Sequence, residues 1–384
     1  MSDIFAEREK EIRDRVKQFV EEQLNPISLQ VELEERIPEE IVDKMRVMKL
    51  FGLAIPEEYG GLGLSTVGEI LVYEELTKTN ACFRSRIGTS NGIGSMGILF
   101  DGTEEQKKKY LPRVASGEWT AAFALTEPSA GSDAASISTL AVLEGDHWII
   151  NGTKQFITNG DCADFFTTIV VTDEKKRAQG GFTAFIIERD TPGFFVGAPD
   201  NKMGMKGSHT TELVFRNCRV PKENVIGGMR MVGQGFKTAM RVLDKGRLTM
   251  GACALGASQK LFDMCVAHIK RKAKHWKSGD DLQAAQFVLA DMATEIYAAR
   301  QMLYNSAWAR DQGNNVTHEA SMVKLFCTEM ADRIADRAMD IFEDEGYLKK
   351  SQIEMYLRDV RLYRIFEGTS EIQRIVISRD LLRE

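Results

Sequence analysis

Between residues 119 and 226 the hydrophobic pattern of this chain changes period, and that change constrains the fold more than any other feature. Before it, apolar residues recur at helical spacing. Ile12, Val16, Phe19 and Val20 fall on one helical face, and Val42, Met45 and Met48 continue the pattern after Pro38, which suits a helix start. Pro56-Glu-Glu-Tyr-Gly-Gly-Leu-Gly63 punctuates these helices. Inside the interval, short runs rich in β-branched and aromatic residues are separated by Gly, Asp, Asn and Pro. They include Thr120-Ala-Ala-Phe-Ala-Leu125, Trp148-Ile-Ile150, Phe165-Phe-Thr-Thr-Ile-Val-Val171 and Thr183-Ala-Phe-Ile-Ile187. From Gly233 onward long helical patterns return, over residues 236–257, 282–312, 318–342 and 353–382, the last broken at Gly368. Helices of that length predict an antiparallel bundle. The expected class is therefore α+β: an N-terminal helical domain at 1–118, a middle β-barrel or sandwich domain at 119–226, and a C-terminal four-helix bundle at 227–384.

Composition narrows the function. A chain of 384 residues exceeds one ordinary domain, and 43% hydrophobic residues supply a large core. The formal net charge of −6 argues against a nucleic-acid role. Lys107-Lys-Lys109 and Lys270-Arg-Lys272 read as solvated helix faces. Six cysteines are scattered without a Cys-x-x-Cys pair, so neither a metal site nor a disulfide framework is expected. Residues 1–17 lack the apolar core of a secretory signal, and no run approaches the ~20 apolar residues of a membrane span. A cytoplasmic location with reduced thiols is the expectation.

Four motifs add chemistry. Leu125-Thr-Glu-Pro-Ser-Ala-Gly-Ser-Asp133 and Gln155-Phe-Ile-Thr-Asn-Gly160 lie in the β region. Asp244-Lys-Gly-Arg247, followed by Gly251, Gly256 and Gln259, opens a long helix. Phe366-Glu-Gly-Thr-Ser-Glu-Ile-Gln-Arg374 sits near the end of the chain. In this order, and over essentially the whole length, they resemble the acyl-CoA dehydrogenase family.

The resemblance implies a reaction that takes a proton from Cα and a hydride from Cβ of a CoA thioester, with FAD accepting the hydride and electron-transfer flavoprotein taking the electrons onward. An α-proton of a thioester is weakly acidic, so the base must be close and dry, and the thioester oxygen must be hydrogen-bonded. Glu367 matches the family's catalytic carboxylate. Its neighbours Ile365 and Phe366 suit an apolar pocket that raises its pKa, and Gly368 permits a turn. Outside this motif, Glu367 would read as an exposed helix-end acid. By the same resemblance Leu125, Thr126, Thr158, Thr369 and Glu371 are assigned to the cofactor. Phe156 packs on its ring, and Gly131 and Ser132 approach its phosphates or the CoA chain. Ser132, Asp244, Arg247 and Gly368 are assigned to the substrate. Arg247 reads either as a CoA contact or as half of an intrahelical pair with Asp244.

Phe83-Arg84-Ser85, ahead of the glycine-rich run 88–97, resembles glutaryl-CoA dehydrogenase. There an arginine at the Arg84 position meets a distal carboxylate, which points to a dicarboxylic acyl group. The bland alternative is an arginine that holds its loop. Asn91 and Ser95 are further candidates for the acyl pocket. Two regions depart from the family. His275 and Trp276 stand where it has Phe-Gly, and Asp340, Glu343 and Asp344 where it has Gln and Gly-Gly. In the family these elements reach the neighbouring subunit's FAD pyrophosphate. A carboxylate ~4–6 Å from a phosphate costs about 3–4 kcal/mol at an effective dielectric near 20. The resemblance therefore leaves open a homotetramer with altered contacts, a heterotetramer with a paralogous subunit, and a flavin-free partner. An acyl-CoA oxidase is the rival enzyme class.

Overall fold

The computed structural model describes residues 6–275 and 279–382. Among the described residues seven α-helices come first: α1 (Glu7–Phe19), α2 (Ser28–Glu34), α3 (Glu39–Val47), α4 (Thr66–Leu76), α5 (Cys82–Asn91), α6 (Met96–Asp101) and α7 (Glu104–Ser116). Val16 and Phe19 bury against the core as the spacing predicts, and Pro38 stands at the N-cap of α3. Thr103 accepts from the amide of Gln106 while Gln106 reaches back to the Thr103 amide, a reciprocal cap that starts α7.

All eleven residues of α4 are buried. Its three acids each meet a cation: Glu69 pairs with Lys245 at 2.7 Å, Glu74 with Arg300 at 2.8 Å and Glu75 with Lys78 at 2.7 Å. Such pairing is what keeps buried charge tolerable.

Seven strands follow: β1 (Ala121–Ala124), β2 (Leu140–Glu144), β3 (His147–Thr158), β4 (Phe165–Val171), β5 (Phe182–Glu188), β6 (Phe194–Pro199) and β7 (Thr210–Pro221). They form one curled sheet in the order β1-β4-β2-β3-β7-β6, with β5 added on β4. The long antiparallel pair β3–β7 runs from His147 opposite Pro221 to Thr158 opposite Thr210. Its register slips between Lys154 and Ile157. Inside that bulge Phe156 adopts φ +57°, and the ring is turned off the sheet, 58% exposed.

The C-terminal part holds α8 (Gly235–Lys272), α9 (Gly279–Asp311), α10 (Thr317–Phe342), α11 (Ile353–Tyr363) and α12 (Ser370–Leu381). Helices α8, α9, α10 and α11 pack as a bundle, with α12 against α10. At 38 residues α8 is about 57 Å long. It touches β5 at one end and α4, α9, α10 and α11 further along, which joins the sheet to both helical regions. All six cysteines are free thiols. Among the described residues no helix is long and apolar enough to cross a membrane, and no group of His, Cys, Asp and Glu has the makings of a metal site.

Candidate active site

A cleft of about 790 Å³ opens where the sheet, α4, α5, α8 and the loop between α11 and α12 meet. That loop carries Glu367 and Gly368 in successive left-handed conformations, φ +54° and +90°. A glutamate adopts such a backbone only when its surroundings enforce it. Two buried side chains on other helices do so: Lys324 Nζ donates to the Gly368 carbonyl at 2.7 Å, and Gln373 Nε2 donates to the same oxygen at 3.0 Å. Phe366 stacks on Tyr363 with ring centroids 5.9 Å apart and closes the loop from the other side.

The turn directs the Glu367 carboxyl to the floor of the cleft. Its Oε2 is buried and has no hydrogen-bond partner among the described residues. Burial pushes this carboxyl above the usual glutamate range, opposed by Arg84, Lys324 and Arg247 in that order. Opposite it, α8 presents Gly246. A Cβ there would lie 2.1 Å from Glu367 Oε2, so any larger residue would force the acid to move.

Arg84 is 8% exposed on α5 and lines the same cleft. Its Nη2 donates to Thr249 Oγ1 at 3.0 Å, and the guanidinium lies 5.0 Å from the centre of the Tyr73 ring. It makes no carboxylate ion pair among the described residues, and its Nε has no acceptor. Gly88, one turn along α5, clears space for it, since a Cβ would approach Arg84 Cζ to 3.2 Å.

The other wall comes from the sheet. Leu125, Thr126, Gly131, Ser132, Phe156 and Thr158 all line the cleft. A Cβ on Gly131 would meet nothing within 4 Å. The loop holding Leu125 and Thr126 is clasped to β3 by Lys154, whose Nζ donates to Leu125 O at 3.0 Å and to Glu127 Oε1 at 2.8 Å, both side chains being buried. Glu127 also accepts from the amides of Ser138 and Thr139. Burial works against its charge, yet Lys154 and these donors bring its pKa down to about 2.

Of the residues named from sequence, Glu367, Gly368, Arg84, Arg247, Asn91 and the sheet residues above come together on one cleft. Four lie off it. Asp244 faces a separate, smaller pocket and pairs with Arg247 at 2.6 Å, so the intrahelical pair is present while Arg247 still reaches the cleft. Thr369 caps α12 by accepting from the Ile372 amide, and Glu371 sits in the first turn of that helix. Ser95 is buried with its hydroxyl on Ser90 O. Asp340, Glu343 and Asp344 are exposed at the far end of α10, where Glu343 pairs with Lys272 at 2.8 Å. Trp276 and the side chain of His275 lie outside the described residues. Sequence reasoning missed Gly246, Glu127, Lys154, Lys324 and Glu69. Gly246 and Glu127 stood inside quoted motifs, but nothing local marked Lys324 or Glu69.

Three family models match in chain order: the acyl-CoA dehydrogenase N-terminal domain over residues 6–118, its middle domain over 122–218 and its C-terminal domain over 233–382. The chain belongs to the acyl-CoA dehydrogenase family. It is 39% identical to a probable acyl-CoA dehydrogenase of Mycobacterium tuberculosis over 98% of this chain and 96% of that one. Among solved structures, one described as electron transferring flavoprotein of Acidaminococcus fermentans, towards a mechanism of flavin-based electron bifurcation, superposes with a TM-score of 0.94. That match has 39% identity over 99% of both chains. A glutaryl-coenzyme A dehydrogenase in complex with glutaryl-CoA superposes at 0.90, with 31% identity over 98% of this chain and 96% of that one. In this acyl-CoA dehydrogenase, then, a partnerless carboxyl, an unpaired arginine and an open sheet wall share one cavity.

Proposed function

We propose that this FAD-dependent acyl-CoA dehydrogenase oxidises an acyl-CoA whose distal end carries a second carboxylate, with Glu367 as the base. The observation that carries the reading is the buried, partnerless Oε2 of Glu367 in the cleft floor. The sheet wall fits a flavin. Phe156 offers an exposed ring face, Thr126 and Thr158 offer hydroxyls on the same side, and the space over Gly131 admits a phosphate or a ring edge. Bound there, FAD supplies the acceptor for the hydride leaving Cβ. The chain's own groups do the rest. The Glu367 carboxylate takes the pro-anionic Cα proton, and the apolar surroundings that raise its pKa also make it a stronger base toward carbon. Phe366 and Tyr363 screen it from water on the loop side. Lys324 and Gln373 hold the Gly368 carbonyl, so the carboxylate keeps its aim as charge moves.

Arg84 supports the dicarboxylic part. A buried guanidinium with no carboxylate ion pair among the described residues, lying in the cavity that holds the proposed base, favours a further anion there. The likeness to glutaryl-coenzyme A dehydrogenase agrees with that reading. Electron-transfer flavoprotein as electron acceptor is supported by the likeness to the Acidaminococcus fermentans structure. The exposed acids at the end of α10 support a mixed oligomer, in which a related subunit contributes the contacts that Asp340, Glu343 and Asp344 would repel.

A dye-linked assay tests the chemistry, with glutaryl-CoA and butyryl-CoA as the two substrates. Glu367→Gln is expected to abolish turnover, and a variant as fast as wild type would end the assignment. Arg84→Met is expected to lower kcat/KM for glutaryl-CoA about 10- to 100-fold more than for butyryl-CoA, the worth of a charged hydrogen bond, since both substrates share whatever the loss of this cation does to Glu367. One FAD per two chains in the complex with a co-purified relative supports the mixed oligomer; full occupancy in the lone protein rejects it.

A further inference from the structure

The sheet wall of the cleft is held from behind by a buried ion pair. The side chains of Lys154 and Glu127 are 0% and 2% exposed, and neither residue is part of the cleft lining, whereas Leu125 and Thr126 are. Lys154 Nζ donates to Leu125 O at 3.0 Å and to Glu127 Oε1 at 2.8 Å. Glu127 also accepts from the amides of Ser138 and Thr139 and from the Ser138 hydroxyl. The pair therefore ties the exit of β1, the entry of β2 and the bulged part of β3 to one point. The direction of one peptide follows from this. All peptide bonds here are trans, so the Thr126 N–H opposes the Leu125 carbonyl and points away from Lys154, on the side where Thr126 meets the cleft. That amide donates to no acceptor among the described residues. Thr126 O accepts from the Gln155 amide at 2.9 Å, which sets Thr126 beside Phe156, the ring that stands exposed on this wall. An ammonium bonded to a peptide carbonyl polarises that peptide and strengthens its N–H as a donor.

We propose that Lys154 is a positioning residue: it turns the Thr126 amide onto the flavin ring and so favours the reduced cofactor. The inference rests on the reading of this wall as the flavin site. The amide lies beside the exposed aromatic that suits a ring, which favours a ring oxygen over a phosphate as its acceptor. A flavin that accepts a hydride becomes an anion, and a donor already aimed and polarised stabilises that charge without reorganising. Lys154 exerts this effect through the peptide and not as a bare cation, because Glu127 cancels its charge from the same buried spot.

The midpoint potential of the FAD-loaded protein, measured against a reference dye, tests this together with the FAD dissociation constant. Lys154→Met with Glu127→Gln removes both charges at once. Net charge is kept and no ion is orphaned, but Leu125 O loses its donor. The variant is expected to lower the preference for reduced over oxidised flavin at least fivefold, within the worth of one hydrogen bond to a charged acceptor. In a two-electron couple that is a fall of ~20 mV or more. A wall that is merely loosened, or an amide that holds a phosphate, weakens both redox states equally and leaves the potential in place. A smaller fall, or a rise, therefore overturns the proposal whatever the dissociation constant does. Should the double variant not fold, Thr126→Pro against Thr126→Ala reads the same amide from the cleft side, since both lose the hydroxyl and only the first loses the N–H. The same fivefold gap is expected between them, and a smaller one overturns the proposal. Phe156→Asn, which tolerates the left-handed backbone, checks the underlying reading. It is expected to weaken FAD at least tenfold; unchanged FAD binding places the flavin elsewhere and removes the reading of the wall. If Phe156→Asn weakens FAD and the double variant leaves the potential unmoved, only the present inference falls.

Discussion

Replacing Gly246 by alanine should disable the enzyme while leaving the protein as stable as before. The added methyl would sit 2.1 Å from Glu367 Oε2 and 3.1 Å from its Cδ, against the 3.4–4 Å of ordinary contact. The carboxyl therefore has to retreat by more than ~1 Å, and a displacement of that size typically costs about 10²-fold in rate. It cannot retreat by backbone motion, because Lys324 and Gln373 hold the next carbonyl and both central residues are already in left-handed conformations. The carboxyl has to rotate away from the cleft floor instead. Helix α8 gains up to ~1 kcal/mol of intrinsic propensity from the same change. The expected result is a kcat reduced by about two orders of magnitude, a KM for the CoA ester within a few-fold of wild type, and an unchanged or raised Tm. Steady-state dye reduction and a thermal melt measure all three. A kcat within threefold of wild type would show that the acid does not work from this position.

Three further outcomes follow from the same geometry. The acid limb of kcat/KM should lie above the ordinary glutamate value of ~4.3, since Glu367, as the proposed base, has to be ionised to accept a proton and burial raises its pKa. Arg84→Met removes the cation that most favours the ionised form and should move that limb to higher pH; a shift downward would contradict the assignment. Lys324→Met leaves the Gly368 carbonyl with Gln373 alone and should cost about 1–3 kcal/mol of transition-state stabilisation, read as a fall in kcat. Glu127 has a folded pKa of about 2, below its unfolded value, so its contribution to stability is present above pH ~4 and is lost as the pH falls toward 2. Glu127→Gln should lower Tm at neutral pH by leaving Lys154 buried and unpaired, and should flatten the dependence of Tm on pH in that acid window.

How much of this was legible in the chain depends on the range of the interactions. The change of period at residues 119–226 is a local signal, and it foretold the sheet between two helical regions. Glu367 was legible because its motif is contiguous: the turn at Glu367–Gly368 and the cap at Thr369 are written within a few residues. Gly246 was not, since a glycine in a helix reads as a weakness until the carboxyl opposite is known, and that carboxyl is 121 positions later in the sequence. Lys324 lies mid-helix on α10 among residues whose spacing says only that the helix is amphipathic. Glu69 is concealed in the same way on α4, where total burial erases the periodicity that would have distinguished its face. Phe156 showed its ring but not its direction, because the bulge that turns it depends on pairing with β7.

Residues 244 to 249 of α8 touch almost everything the enzyme has to do. In fewer than two turns that helix pairs its own Asp244 with Arg247, pairs Lys245 with Glu69 of α4, yields space to the Glu367 carboxyl and seats the arginine's acceptor. Such concentration leaves little freedom to alter one duty without disturbing another. A lineage seeking a new acyl group would find its cheapest changes on α4 and α5, across the cleft, and redesign should begin there.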